Sequence, residues 1–255
     1  SSLVYSGLVR LTPEGNVEND LVESLEISEN RLTYTVTIDK DARFHDGTSV
    51  SADDVVFTIG KIVDPAIKSP RRGNWDSVTI EKVDERTVLF KLKKAYTPFI
   101  YNLTTGILPK HIWKNVSDDE FSFSQFNTLP VGSGPYKVES VERNPGGIPD
   151  YYKLTPFEDA SGREAYIKNL VFRFYPSETA LIKAYNEREV DAVGGISPDK
   201  MAELDTRSTR VIHSPLPRIF AVFFNQSRSK VLLNKEVRQA LDLAAPKDEI
   251  VEKVL

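Results

Sequence analysis

Residues 32–63 read LTYTVTIDKDARFHDGTSVSADDVVFTIGKIV, and this stretch decides the fold assignment. Apolar residues alternate with threonines from Leu32 to Ile38, which is typical of a strand with one buried face. Asp46-Gly47 follows as a turn, because glycine accepts a positive φ and aspartate bonds to nearby backbone. The stretch therefore begins as a half-buried strand that ends in a tight turn.

A helix is predicted directly after this turn. Ser51 has the side chain of an N-cap, and Asp53 and Asp54 lie where the positive end of the helix dipole favours acidic groups. Apolar residues then recur at helical spacing as far as Ile62 and Val63. The pattern predicts a capped helix with one buried face that ends near these two residues.

Further segments follow along the whole chain with a specific joint spacing. They are Val4-Tyr5-Ser6-Gly7-Leu8, Tyr34-Thr35-Val36, Phe44-His45-Asp46-Gly47-Thr48, Ala52-Asp53-Asp54-Val55-Val56-Phe57-Thr58, Val83-Asp84, Thr87-Val88, Gly132-Ser133-Gly134-Pro135-Tyr136, Arg188-Glu189-Val190-Asp191, Phe224-Asn225-Gln226 and Val237-Arg238-Gln239-Ala240-Leu241. Together they resemble the extracellular solute-binding proteins of ABC transporters, specifically family 5, the dipeptide- and oligopeptide-binding group. One departure is Pro246, where the family usually has an acidic residue.

The resemblance implies an α/β fold, namely lobe one of a type II periplasmic-binding-protein architecture with an inserted α+β domain. Lobe one would comprise residues 1–7 and 131–217 around a mixed α/β sheet, and the insert would comprise residues 8–130. Residues 218–255 would be the hinge and a stub of lobe two. We expect the second lobe to be largely absent, because an apolar stripe runs to the last residue and family members are longer.

Periodicity predicts further elements. A hairpin joins Trp75–Val83 to Thr87–Leu92, and strands are expected at Tyr151–Leu154, Leu170–Tyr175 and Val190–Val193. Helix starts are marked by Ser177, by Ser197 before Pro198, and by Asn234.

Composition narrows the function classes. The chain is 40% hydrophobic and 27% charged, with a formal net charge of −4 and no long basic run, so we expect no nucleic-acid partner. It has no cysteine, which excludes thiolate catalysis and cysteine-ligated zinc. No apolar run has the length of a membrane span.

Catalysis finds little support in the sequence. Gly132-Ser133-Gly134 is not a nucleophile elbow, since G-x-S-x-G is absent and a proline follows. His45, His111 and His213 lie far apart without i, i+4 partners, so we interpret them as structural or surface residues. We therefore expect no enzyme, no cofactor and no metal site, with a hydrolase as the less favoured alternative.

Candidate ligand contacts come from turns and aromatic residues. The turn at Gly194, Gly195 and Ile196 has backbone amides for a ligand carboxylate or carbonyl, although the pattern alone favours an ordinary tight turn. The resemblance places this turn on the cleft wall, together with Asn74 and Trp75, where Trp75 is either a wall or a core anchor. It also implies that Leu216 and Phe220 lie on the hinge strand, where one or two residues would contact the ligand.

The resemblance implies capture of a di- or oligopeptide outside the cytoplasmic membrane for delivery to a membrane-embedded ABC permease. The location would be periplasmic or extracytoplasmic, with a lipoprotein anchor in some family members. Other solutes remain open, namely an oligosaccharide, a nickel complex or an opine, as does a signalling receptor on the same fold. We also expect the uncovered apolar faces of a truncated lobe to favour self-association.

Overall fold

The computed structural model describes residues 2–160, 165–205, 207, 209–212 and 221–254, and its backbone divides into two compact units. The first unit is Ser1–Leu204 and the second is Asp205–Leu255. All strands of the described residues belong to the first unit, whereas the second contains helices and irregular segments.

Antiparallel pairing joins every strand in the described part of the chain. The strands are β1 Val9–Leu11, β2 Val17–Asn19, β3 Val22–Ile27, β4 Thr33–Ile38, β5 Val78–Lys82, β6 Thr87–Leu92, β7 Tyr136–Arg143, β8 Pro149–Pro156 and β9 Leu170–Arg173. They form three sheets, a β1-β2 pair, a four-stranded sheet in the order β3-β4-β6-β5, and a three-stranded sheet in the order β7-β8-β9. The hairpin predicted from residue 75 onward is confirmed as β5 and β6.

The α-helices predicted to begin after Ser51, Ser177 and Asn234 are confirmed. The α-helices are α1 Ala52–Val63, α2 Lys110–Trp113, α3 Asp118–Phe121, α4 Glu178–Asn186, α5 Lys235–Ala244 and α6 Lys247–Val254. Short 3₁₀ helices occur at Arg72–Asn74, Thr97–Thr104, Gln125–Asn127, Pro198–Glu203 and Val231–Leu233. Ser177 caps α4 by accepting the Ala180 amide at 3.2 Å, and Asn234 caps α5 by accepting the Glu236 amide at 2.9 Å.

The start of α1 is fixed by one buried carboxylate. Asp54 accepts the Ser51 amide at 2.9 Å, the Ser51 hydroxyl at 2.6 Å and the Lys110 amide at 2.7 Å. A buried carboxylate requires such donors, because an unpaired charge would be strongly destabilising. Asp54 therefore caps α1 and holds the first residue of α2 against it.

The main core lies between the four-stranded sheet and α1. Strands β4 and β6 alternate as the pattern predicts, with Tyr34, Val36 and Phe90 facing inward. Helix α1 contributes Val55 and Ile59 to the same cluster. Burying a side chain of this size stabilises the fold by about 1.5–3 kcal/mol, which makes this cluster the main source of stability in residues 8–131.

The N-terminal segment, residues 3–8, runs between two loops that come much later in the chain. The Gly134 amide donates to the Val4 carbonyl at 2.8 Å, and the Ile107 amide donates to the Ser6 carbonyl at 3.0 Å. Val4 also joins β7 and β8 in a second small apolar cluster. The segment thus connects the two parts of the first unit through its backbone.

Glycine is required where this segment approaches the later loops. A Cβ on Gly132 would lie 1.9 Å from the Val4 carbonyl oxygen, and one on Gly134 would lie 2.5 Å from the Leu3 carbonyl oxygen. Real Cβ contacts are never that short. The glycines of the Gly132-Ser133-Gly134 motif are therefore explained by packing.

The His45 side chain forms hydrogen bonds with the same Gly132-Ser133-Gly134 motif. The Gly132 amide donates to Nδ1 at 3.2 Å, so Nε2 carries the proton that points to the Gly134 carbonyl at 3.0 Å. The His45 amide also donates to the Gly132 carbonyl at 2.8 Å, and the ring packs edge-on against Phe157. This geometry favours the neutral imidazole, because a second ring proton would face the Gly132 N–H.

One sequence prediction is wrong, since residues 190–193 are not a strand in the structure. The apolar alternation is present, but a strand also needs a ladder partner, and no described segment pairs with these residues. Parallel pairing, which a mixed sheet requires, is also not found in the described residues. The division of the chain into residues 1–7 with 131–217, 8–130 and 218–255 stays a prediction.

Candidate ligand-binding site

The tight turn predicted at Gly194, Gly195 and Ile196 is an irregular segment in the structure, with both glycines exposed and Ile196 half-exposed, and we call these three residues the Gly194 turn. Gly195 has a φ of +75°, which favours glycine, and a Cβ on either glycine would meet no atom within 4 Å. Among the described residues, no acceptor bonds the backbone amides of these three residues. The turn therefore presents three donors, as the sequence predicts, although a ligand contact there is still a prediction.

The amide of Ser197 is already bonded, which the sequence does not reveal. The Glu178 carboxylate accepts the Ser197 amide at 2.5 Å and the Ser197 hydroxyl at 2.7 Å. These hydrogen bonds from the Ser197 hydroxyl and amide hold the pKa of Glu178 below its usual value. The predicted helix after Ser197 is the short 3₁₀ helix Pro198–Glu203. Only an acidic residue at the start of α4 could have signalled this contact.

Trp75 lies in the core. Its side chain is 2% exposed, and its ring packs edge-on against Phe99 with centroids 5.7 Å apart. Of the two alternatives left open by the sequence, this placement favours the core anchor, because an indole in this position does not line an open cleft. Asn74 next to it is exposed, and its carbonyl accepts the Asn102 side-chain amide at 3.0 Å. No hydrogen bond of the described residues joins this loop to the Gly194 turn.

The hinge candidates Leu216 and Phe220 lie outside the described residues, as does His213. Directly after them, residues 221–225 have no regular secondary structure, and Phe223 is 92% exposed. The predicted ligand contacts at Leu216 and Phe220 stay predictions.

Sequence reasoning missed an apolar cavity of about 400 Å³ in the first unit. Its walls include Val4, Tyr5, Tyr152, Leu154 and Phe174. Burial raises the pKa of Tyr5 to about 12, in keeping with these poorly hydrated surroundings. Of the strands that line it, β8 and β9 lie at predicted strands and β7 was not predicted, and the arrival of the N-terminal segment beside them has no local sequence signal.

The structure also places the residues that could suggest catalysis. The Ser133 side chain is 1% exposed and its hydroxyl has no partner in the described part of the chain, while both ring nitrogens of His45 face backbone groups of Gly132 and Gly134. His45 is thus not positioned as a base for Ser133. His111 pairs with Asp46 at 2.6 Å. No three acidic or histidine side chains of the described residues form a metal-binding group.

Comparison with known proteins identifies the family. The family model described as "Bacterial extracellular solute-binding proteins, family 5 Middle" matches residues 16–255. The chain belongs to family 5 of the bacterial extracellular solute-binding proteins. Within the described residues of this family 5 chain, no helix has the length and apolar character needed to span a membrane.

Curated and solved relatives support the same assignment. The chain is 30% identical over 259 residues to the oligopeptide-binding protein AppA of Bacillus subtilis, covering 100% of this chain and 46% of AppA. The AppA structure in complex with a nonapeptide matches with a TM-score of 0.76 at 28% identity, covering 100% of this chain and 50% of that one.

A second solved structure that resembles this chain contains a different solute. NikZ from Campylobacter jejuni in complex with Ni(L-His) matches with a TM-score of 0.73 at 27% identity, covering 99% of this chain and 50% of NikZ. The chain thus spans about half the length of these relatives. The expected α/β periplasmic-binding-protein fold is confirmed by both structures.

Proposed function

We propose that this family 5 chain is part of the substrate-binding component of an ABC importer and captures di- or oligopeptides outside the cytoplasmic membrane. The match of the whole chain to a protein named for oligopeptide binding is the observation that carries the proposal. Its partners are the peptide and a permease in the membrane, and its location is periplasmic or extracytoplasmic.

The open turn supports a peptide ligand. An extended peptide carries a donor and an acceptor at every residue, and each one that is buried unpaired costs about 1–3 kcal/mol. The amides of Gly194, Gly195 and Ile196 offer donors to peptide carbonyls, and Asn74 offers a side-chain amide that is exposed. Leu216 and Phe220 are proposed as apolar contacts. Trp75 is proposed to act from the core, by supporting the position of Asn74.

Binding without bond breaking is the proposed mode of action. His45 binds the backbone of Gly132 and Gly134 through both ring nitrogens, and Ser133 is buried between these two glycines. This contact holds the loop in place, and no reaction is needed to explain these residues. The proposal therefore assigns no catalytic residue and no cofactor. Release of the solute to the permease requires only that the binding protein open around the bound solute.

Native mass spectrometry of the protein, purified without denaturation, tests the ligand class. We expect adducts whose masses correspond to short peptides and that disappear after mild unfolding and refolding. A nickel isotope pattern, a series of hexose masses or an opine mass would refute the peptide proposal and assign one of the other solutes instead. Turnover of added peptides into shorter ones would refute the non-catalytic role.

A further inference from the structure

We infer that Glu178 is a positioning residue for the turn Gly194–Ile196, because its carboxylate holds Ser197 in place. Its negative charge also makes the amides of this turn bind neutral carbonyl oxygens in preference to carboxylates. The inference rests on the proposed function of this turn in peptide binding. It adds a specificity, namely that a peptide carbonyl is accepted there and a carboxylate is disfavoured.

Glu178 binds both the amide and the hydroxyl of Ser197, and we call this contact the latch. Ser197 donates its amide to Glu178 at 2.5 Å, and its hydroxyl lies 2.7 Å from both carboxylate oxygens. Glu178 is the first residue of α4, whose start is fixed by the Ser177 cap and whose buried face includes Ile182. The carboxylate therefore projects from a rigid element, and Ser197 is held relative to that helix.

The turn depends on its ends for its position. Gly194 and Gly195 have no atom within 4 Å of a Cβ position, so side-chain packing does not hold the backbone there. Gly195 has a positive φ, which glycine adopts more easily than other residues, two positions before Ser197. Because Ser197 is two residues after Gly195, loss of the latch would release the end of the turn and increase the cost of ordering it around a ligand.

Charge determines which ligand group fits. The Glu178 carboxyl is ionised at neutral pH like an ordinary glutamate, and the hydrogen bonds from Ser197 lower its pKa further. Asp199 adds a second negative charge close by, and the nearby Lys200 ammonium, which lowers the pKa of Glu178, is itself paired with a third carboxylate, Glu203, at 3.0 Å. A ligand carboxylate at the turn would be repelled by this negative charge, whereas a neutral carbonyl would not.

NMR titration of the ¹⁵N-labelled chain separates the two roles of Glu178. The probes are N-acetyl-trialanine amide, which is neutral, and N-acetyl-trialanine with a free carboxylate. The variants are Glu178→Ala, which removes the latch, and Glu178→Gln, which keeps an acceptor for Ser197 without the charge. Glu187→Gln is the matched control, because Glu187 lies directly after the other end of α4 and its side chain forms a long ion pair with Lys183, at 3.8 Å.

In the wild-type chain we expect the neutral probe to shift the amide signals of residues 194–196 with at least threefold higher affinity than the anionic probe. Glu178→Gln should keep the affinity for the neutral probe and bring the anionic probe close to it. Glu178→Ala should weaken binding of the neutral probe at least threefold and speed hydrogen exchange of the Ser197 amide about tenfold, with an unchanged melting temperature. Glu187→Gln should behave as wild type.

The two proposals fail in different ways. If neither probe shifts residues 194–196 of the wild-type chain, the proposed ligand contact at this turn is wrong, and the inference about Glu178 falls with it. If the shifts occur but are the same in all variants, or if both probes bind equally to wild type, the inference about Glu178 alone is overturned. Faster exchange of Ser197 with unchanged probe affinity would likewise overturn it, since Glu178 would then be only a structural contact.

Discussion

Replacing Gly132 with alanine is expected to destabilise the first unit strongly. The new Cβ would lie 1.9 Å from the Val4 carbonyl oxygen, so one of the two backbones must move by about 1.5 Å to reach the 3.4 Å at which ordinary contact begins. Three hydrogen bonds depend on the present position of this loop. They run from Gly134 to Val4, from His45 to the Gly132 carbonyl, and from the Gly132 amide to His45 Nδ1.

Each of these bonds contributes about 0.5–1.5 kcal/mol to stability, so their joint loss lowers the free energy of unfolding by about 1.5–4.5 kcal/mol. For a domain of this size 1 kcal/mol corresponds to about 2–4 °C, and the melting temperature should fall by roughly 10 °C. The assay is thermal unfolding followed by tryptophan fluorescence. Both tryptophans, Trp75 and Trp113, are buried in the first unit and report on it.

Gly60→Ala is the matched control, because it makes the same substitution at an exposed site inside α1 where a Cβ meets no atom within 4 Å. Alanine is favoured over glycine in a helix interior by about 0.5–1 kcal/mol, so this variant should be more stable than wild type. Equal melting temperatures for Gly132→Ala and wild type, or shifts of the same sign in the two variants, would refute the close-approach argument.

Three further outcomes are expected. Ser51→Ala should lower the free energy of unfolding by about 1 kcal/mol in urea titrations, since it removes a hydrogen bond at the start of α1, and an unchanged midpoint would contradict the capping role. Burial lowers the pKa of His45, a shift that its neighbour Lys137 reinforces and that the Gly134 carbonyl and Asp46 oppose. The stability from neutral His45 is therefore complete above about pH 6.5 and is lost as the pH falls through the lower folded pKa. His45→Asn should flatten this loss in urea midpoints measured from pH 7.5 to 5, and an equal loss in both proteins would disprove it. Gly195→Ala should weaken peptide binding more than Gly194→Ala, because only Gly195 has a positive φ, and calorimetry showing equal affinities would argue against a role for this turn.

Local patterns predicted much of the fold. Ser51 and the apolar stripe after it fixed both ends of α1, and the alternation around Val36 and Phe90 fixed the central strands, because these signals lie within a few residues of each other. The placement of Trp75 could not be predicted, since its partners Phe90 and Phe99 come later in the chain and the same residue type suits a cleft wall. The latch between Glu178 and Ser197 was missed for the same reason, as 19 positions separate two residues that each have an ordinary local role.

Residues 190–193 show that a local pattern can also predict an element that does not form. Their apolar alternation satisfies the local rule for a strand, but pairing is a property of two segments, and the local rule contains no information about the second. For the candidate site, sequence indicated the type of residue in the Gly194 turn. The resemblance to family 5 supplied its interpretation as a ligand contact.

The path of the N-terminal segment has a consequence for the order in which the chain folds. Val4 meets its hydrogen-bond partner Gly134 only after about 130 further residues have been synthesised. Closing so long a loop costs about 2 kcal/mol more than closing one a tenth of its length, so this contact forms late. During synthesis Leu3 and Val4 therefore lack their later backbone partners while the β4, α1 and β6 region can already associate. We therefore expect the insertion of residues 3–8 between the two later loops to limit the rate of folding, and variants at Gly132 should slow refolding more than variants in α1.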